Sequence, residues 1–134
     1  MDSAILNLLR DAREIAVVGI SAKPDRPSHE VAAFLQGRGY RIIPINPGLS
    51  EVLGERCYPS LTAYGKPVDI VDVFRNSEAV PPIVEEAIAA KARCVWMQEG
   101  VAHAEAAARA REAGLLVVED RCIKKVLLAQ GDRG

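Results

Sequence analysis

The sequence is poor in aromatic residues, histidine and cysteine, and these shortages exclude several kinds of site. Aromatic residues make up 4% of its 134 residues, and the chain has two histidines and three cysteines. Cys57, Cys94 and Cys122 lack the spacing of metal ligands, so we expect no structural zinc site. Thiols that are not arranged as disulfide pairs favour a reducing compartment, the cytoplasm.

The chain also lacks an excess of charge of either sign. Lys and Arg number 17 against 18 Asp and Glu, which gives a formal net charge of −1. Because general nucleic-acid binders carry an excess of basic residues, we expect no nucleic-acid partner. A local basic patch around a phosphate group is still compatible with this total.

Long apolar runs and a leader segment are absent as well. No run approaches the about 20 apolar residues of a membrane-spanning helix, and the N-terminal residues 1–3 do not begin a basic, then apolar, signal segment. We therefore expect a cytoplasmic protein without a membrane partner. The length is that of one ordinary domain, so we expect a single domain over residues 1–134 and no second catalytic domain.

What the sequence does contain is an alternation of short aliphatic runs with amphipathic segments. The runs predict buried strands at 14–20, 41–45, 69–74, 94–98 and 115–118. Strands that alternate with helices favour right-handed crossovers and a parallel sheet. We predict an α/β fold, a Rossmann-like doubly wound parallel sheet of five strands in three α/β/α layers, with the strand order 3-2-1-4-5.

Most of the segments between the runs carry helix signals. Ser28 is predicted to cap a helix that stops at Gly39, Ser77 to start the next, and Asp120 to cap the last one. Further helices are predicted around residues 5–9 and 102–113. Residues 46–68 are rich in Gly and Pro, so we expect mostly loop there with one short helical turn.

The loop after the first predicted strand combines the features of a diphosphate site. Gly19 ends the strand, Ser21 adds a hydroxyl group, Lys23 and Arg26 add cations, and Ser28 begins a helix with unpaired N–H groups. Ligands of open parallel sheets bind outside the carboxyl ends of the strands, so topology selects the same loop. An ordinary βα loop with solvated charges is the alternative.

A dinucleotide fingerprint is not present in this loop. Six positions from Gly19 read Gly-Ile-Ser-Ala-Lys-Pro instead of Gly-x-Gly-x-x-Gly. The second strand ends in Asn46 and Pro47, where an acidic residue would hold the ribose hydroxyl groups of NAD. NAD is therefore disfavoured, although an NAD(P)-binding oxidoreductase or redox-sensing domain stays open as an alternative.

Other strand ends carry weaker signals. Phe74 either lies against an adenine ring or packs at its strand end, and Arg75 can pair with a phosphate group. Glu99 either binds a ligand or complements a helix dipole. Cys122 is either a reactive thiol at a helix start or a small buried side chain. No catalytic arrangement of residues is evident, and we expect no catalytic residues and no metal site.

Taken together, four segments resemble a known family. Residues 19–23, 45–47, 73–75 with 86–88, and 98–101 resemble the coenzyme A-binding domain of the succinate–CoA ligase α subunit. The chain is still more similar to stand-alone bacterial proteins of the CoA-binding family. The resemblance extends from about residue 12 to residue 125.

The resemblance implies a cleft for coenzyme A or an acyl-CoA at the carboxyl ends of the strands. It implies that the first loop contacts the nucleotide end, that the second loop lies along the cofactor, and that Phe74 lines the adenine side. With the cations and the hydroxyl of the first loop, the predicted binding residues are Gly19, Ile20, Ser21, Lys23, Arg26, Ser28, Asn46, Pro47, Phe74, Arg75, Gln98, Glu99, Gly100 and Cys122.

The chain also departs from the ligase pattern. The ligase has a lysine soon after its second-strand proline, where this chain has Gly48, Leu49 and Ser50, so that phosphate contact is either missing or supplied by Arg26 or Arg75. Neither His29 nor His103 matches the phosphorylated histidine of the ligase. We therefore expect cofactor binding without ligase chemistry. An interaction subunit of a ligase-type enzyme, a homodimer and an unidentified protein partner stay open.

Overall fold

A five-stranded parallel sheet forms the centre of residues 2–130, the part of the chain that the structure, a computed structural model, describes. The strands are β1 (Glu14–Val18), β2 (Arg41–Ile45), β3 (Glu51–Val52), β4 (Glu55–Arg56), β5 (Ile70–Val73), β6 (Cys94–Met97) and β7 (Leu116–Val118). β3 and β4 pair with each other as a small antiparallel hairpin, and the other strands make up the main sheet. The hairpin was not predicted, because its two-residue strands carry no periodic pattern.

Helices cover both faces of the sheet. They are α1 (Ser3–Asp11), α2 (Pro27–Gly37), α3 (Leu61–Tyr64), α4 (Val80–Ala89, after a 3₁₀ turn at Ser77–Ala79), α5 (Ala104–Glu112) and α6 (Ile123–Ala129). The apolar sides of α1, α2 and α6 pack on one face, and those of α3, α4 and α5 pack on the other. The predicted three-layer Rossmann-like fold is therefore confirmed. Within residues 2–130, no helix has the length and apolar character needed to cross a lipid bilayer.

The predicted strand order was wrong. The observed order is β2-β1-β5-β6-β7, so the third strand of the main sheet lies beside β1 and not beside β2. Pro44 in β2 explains the difference, since proline cannot donate to a ladder and is suited to an edge strand. Its carbonyl oxygen accepts a hydrogen bond from the Tyr58 N–H at 3.0 Å, beyond the edge of the sheet. β5 is buried along its whole length, as expected for a central strand.

Two predicted helix starts also differ from the structure. α6 is preceded by Cys122, and the predicted cap Asp120 instead accepts a hydrogen bond from the Gly100 N–H at 2.7 Å. α5 begins after His103, whose Nδ1 accepts a hydrogen bond from the Ala106 N–H at 3.1 Å. Asp120 thus stabilises the loop after β6, and His103 stabilises the start of α5.

Candidate functional site

The β1–α2 loop is held in shape by its own serine side chains. The Ser21 N–H donates to the Ser28 Oγ at 2.9 Å, and the Lys23 N–H donates to the Ser21 Oγ at 3.1 Å. Ser28 was predicted to cap α2, and that prediction was wrong because Pro27 takes the first helical position. No side chain caps the start of α2, so the N–H groups of its first turn are available to an anion.

Three cations surround this loop. Lys23 and Arg26 stand on the loop itself, and Arg75 follows β5 on the far side of Gly19. All three side chains are on exposed residues and form no ion pair with any residue between 2 and 130. Unpaired cations beside a helix start favour an anionic ligand.

The cations line two adjoining hollows. One hollow, of about 390 Å³, is lined by Gly19, Ser21, Lys23, Arg26, Pro27, Ser28 and Phe74. The other, of about 450 Å³, lies between the ends of β1 and β2 and the helices α3 and α4, and Asn46, Pro47 and Arg75 line it. Gly19 lines both hollows, so they lie side by side at the ends of β1, β2 and β5, and together they are called the depression around Gly19.

Asn46 ties the ends of β1 and β2 together. Its Nδ2 donates to the Ile20 carbonyl oxygen at 2.8 Å, and its Oδ1 accepts from the Gly48 N–H at 2.8 Å. Ile20 itself is completely buried in the core, so its side chain does not face the depression. The predicted contribution of Ile20 would therefore have to come from its backbone.

The remaining predicted site residues lie at the ends of β6 and β7 and are engaged in contacts within the chain. The buried Gln98 accepts a hydrogen bond from the Ile123 N–H through Oε1 at 3.1 Å. Glu99 pairs with Lys125 at 2.9 Å, and the Gly100 N–H is bonded to Asp120. Cys122 is buried. None of the four predicted residues of this group lines the depression around Gly19.

Several lining residues were not predicted from the sequence. Ser60, Ile83 and Glu86 line the second hollow, and the Glu86 Oε1 accepts hydrogen bonds from both the N–H and the hydroxyl of Thr62, at 3.1 and 3.0 Å. They were missed because the wrong strand order placed α3 and α4 away from the end of β1. The proline in β2 was the signal that could have corrected this.

One carboxyl group is buried in the core of the protein. Asp72 in β5 is fully buried, and neither of its oxygens has a hydrogen-bond partner within residues 2–130. Burial raises the pKa of Asp72 well above its usual value. On the adjacent strand, burial and then the charge of Asp72 raise the pKa of the Cys94 thiol to about 12. Both groups belong to the core and line neither hollow.

Comparison with known proteins gives a consistent match. A family model described as a CoA binding domain matches residues 13–127. The uncharacterized protein YneT of Bacillus subtilis is 43% identical over 120 residues, which cover 90% of this chain and 89% of YneT. An ADP-forming acetate–CoA ligase (II) of Archaeoglobus fulgidus is 28% identical over 76 residues, which are 55% of this chain and only 11% of the ligase.

Solved structures agree with the sequence matches. The cell-free ID.343 protein from Thermus thermophilus superimposes with a TM-score of 0.91 and 37% identity, over 96% of this chain and 98% of that one. A hypothetical protein from Pyrococcus horikoshii OT3 gives 0.89 and 38% identity, over 93% and 88% of the two chains. Since the family model spans most of the chain and YneT matches over most of both proteins, the resemblance found in the sequence is confirmed, and the chain belongs to the CoA-binding domain family.

Proposed function

We propose that this protein binds coenzyme A or an acyl-CoA in the depression around Gly19. The observation that carries the proposal is the convergence of Lys23, Arg26 and Arg75 on that depression without ion-pair partners in the described part of the chain. Coenzyme A carries a diphosphate and a 3′-phosphate, so it needs several cations on one short surface. Membership of the CoA-binding domain family supports this choice of ligand.

In the proposed complex the diphosphate lies on the β1–α2 loop. Lys23, Arg26 and the N–H groups at the start of α2 neutralise it, and Gly19 lets the cofactor approach the backbone. Phe74 lies against the adenine side, and Arg75 binds the 3′-phosphate. Asn46 and Pro47 form the wall along the nucleotide.

The rest of the cofactor would then extend toward the ends of β6 and β7. Along that path lie Gln98, Glu99, Gly100 and Cys122, whose internal hydrogen bonds and burial fix the wall. The site is proposed to operate in the cytoplasm, where its three free thiols would stay reduced.

The proposal does not include catalysis. The similar acetate–CoA ligase is an ADP-forming enzyme, but the matched segment is 11% of its length. The whole ligase's reaction is therefore not carried over to this chain. No nucleophile paired with a base is present among the residues that line the depression.

Calorimetric titration with a matched set of nucleotides tests the proposal. We expect saturable binding of coenzyme A, weaker binding of 3′-dephospho-coenzyme A because Arg75 loses its partner, and no saturable binding of NAD. Acetyl-CoA compared with coenzyme A reports whether an acyl group contributes. Saturable binding of NAD with no response to coenzyme A would overturn the proposal in favour of a dinucleotide site.

A further inference from the structure

A second cavity lies at the amino ends of β1 and β2, whereas the depression around Gly19 lies at their carboxyl ends. It has a volume of about 250 Å³ and opens between α1, the end of α2 and α6. Ala12 and Tyr40, which line it, precede β1 and β2, whereas Gly19 and Asn46 follow those strands. The five residues of β1 separate the two sites by roughly 16 Å at about 3.3 Å per residue.

The floor of this cavity is apolar and its walls are tied together. Leu6 and Leu9 of α1 and Leu127 of α6 supply the hydrocarbon surface. The Tyr40 hydroxyl donates a hydrogen bond to the Leu9 carbonyl oxygen, one of the last carbonyls of α1. This bond fixes the end of α1 against the start of β2, so one wall of the cavity is formed without a ligand.

Two arginine residues also line the cavity. Arg10 lies in the last turn of α1, and Arg38 follows α2 with its guanidinium carbon 5.4 Å from the centre of the Phe34 ring. Burial raises the pKa of Tyr40, and the positive charge of Arg38 opposes that rise. The aromatic contact favours a defined position for Arg38.

Within residues 2–130, the charged side chains that line this cavity are basic, and they lie beside the carboxyl ends of α1, α2 and α6, whose dipoles they complement. Neither Arg10 nor Arg38 forms an ion pair with any residue in the range 2–130, and none of the residues in that range that line the cavity is acidic. An apolar floor below unpaired guanidinium groups is complementary to a hydrocarbon chain that ends in a carboxylate.

We propose that this cavity binds a medium-chain monocarboxylate, with its chain against Leu6, Leu9 and Leu127 and its carboxylate between Arg10 and Arg38. The volume of about 250 Å³ lies below the about 300–1,000 Å³ of pockets for drug-sized ligands, which favours a small ligand. A chain of roughly six to ten carbons gains apolar contact with each added methylene group. The proposal is independent of the coenzyme site.

Titration of the ¹⁵N-labelled protein with sodium hexanoate, octanoate and decanoate, followed by NMR, tests this site. We expect saturable shifts in α1, Tyr40 and α6, and an affinity that rises about threefold to fourfold with each methylene group. Octanol should bind about tenfold more weakly than octanoate, because it lacks the charge that the guanidinium groups recognise. Saturating coenzyme A should leave these values unchanged.

Matched variants identify the carboxylate contacts. Arg10→Gln with Arg38→Gln should weaken octanoate binding about tenfold or more while leaving coenzyme A binding unchanged. Arg111→Gln is the control, because Arg111 lies in the last turn of α5 as Arg10 lies in that of α1, and it does not line the cavity. The proposal is overturned if octanol binds as tightly as octanoate, if the shifts fall on the β1–α2 loop, or if no saturation occurs at millimolar ligand.

Discussion

Gly19 and Phe74 pack so closely that a Cβ atom at position 19 would lie 2.7 Å from the Phe74 carbonyl oxygen. The backbone of Gly19 also has a φ of +88°, a conformation that residues with a side chain rarely adopt. The obstructing atom belongs to the backbone of the chain that leaves β5, so it cannot rotate away as the end of a side chain could. A glycine is therefore required where the two hollows join.

Gly19→Ala should lower the free energy of unfolding by about 1–3 kcal/mol, because strain in the left-handed region adds to the contact with the carbonyl group. The control is Gly114→Ala, because Gly114 has a φ of +93° and no atom lies within 4 Å of the position that its Cβ atom would take. This variant therefore has the backbone strain but no close contact with a carbonyl group. Urea denaturation measures both losses. Equal losses for the two variants would show that the contact with Phe74 has no energetic weight.

The cations of the β1–α2 loop provide the most direct check on the coenzyme site. Lys23→Gln with Arg26→Gln should weaken coenzyme A binding several-fold or more, since hydrogen bonds to charged groups contribute about 1.5–3 kcal/mol each before solvent screening. The unfolding free energy should change little, because neither side chain has an ion pair within residues 2–130.

The matched control for this pair removes the same amount of charge near the amino ends of the strands. Lys66 precedes β5 and Arg111 precedes β7, so both lie away from the carboxyl ends of the strands. Lys66→Gln with Arg111→Gln should leave the calorimetric affinity for coenzyme A unchanged. An equal loss in both double variants would indicate a general effect of net charge and would remove the β1–α2 loop from the proposed site.

The strands could be predicted from the sequence because their burial on both faces produces continuous aliphatic runs. The run at residues 14–20 became β1, and the run at 69–74 became β5. Their order could not be obtained in the same way, because it depends on pairing between residues far apart in the chain. Pro44 alone carried a local signal for the edge position of β2.

For the candidate site, too, residues close together in the sequence could be predicted, and residues brought together only by packing could not. The loop residues Lys23 and Arg26 were recognisable because glycine, hydroxyl, cations and helix start follow one another within one short segment. Glu86 and Ser60 could not be recognised from the sequence, because they reach the depression only through the packing of α3 and α4 beside β1. The role of Ser28 was also hidden, since its hydrogen bond to Ser21 depends on Pro27 taking the start of α2.

Asn46→Asp tests the bond between the ends of β1 and β2. The substitution keeps an acceptor for the Gly48 N–H but turns the Nδ2 donor that faces the Ile20 carbonyl into an oxygen. We expect a loss of about 1–3 kcal/mol in unfolding free energy and weaker coenzyme A binding, measured by urea denaturation and calorimetry. Asn7→Asp, on an exposed residue of α1, should change stability by less than about 0.5 kcal/mol.

This variant also examines the alternative dinucleotide function. An acidic residue at the end of the second strand is what an NAD site would use to hold the ribose. If the parent protein and Asn46→Asp both bound NAD saturably and neither responded to coenzyme A, the depression would be a dinucleotide site and its assignment to coenzyme A would fail. We expect no NAD binding, because the loop after β1 also lacks the Gly-x-Gly-x-x-Gly segment that such a site needs.

Asp72 should make the stability of the protein fall as the pH rises. Burial raises the pKa of its carboxyl group well above the usual value, so the folded state keeps a proton that the unfolded state releases above a pH of about 4. Between that pH and the folded-state pKa, unfolding releases a proton, and the free energy of unfolding decreases by about 1.4 kcal/mol for each pH unit. The contribution of neutral Asp72 is complete below pH about 4 and is lost as the pH rises through the folded-state pKa.

Asp72→Asn removes the ionisable group while keeping its size, so the variant should become more stable relative to the parent protein as the pH increases from about 4. Urea denaturation across that range measures the difference. Asp11→Asn, at an exposed position in the last turn of α1, makes the same chemical change and should leave the slope unaltered. Parallel pH profiles for Asp72→Asn and the parent protein would mean that the buried carboxyl group stays ionised. An ionised carboxylate in the core would require a compensating partner such as internal water, which the neutral form does not need.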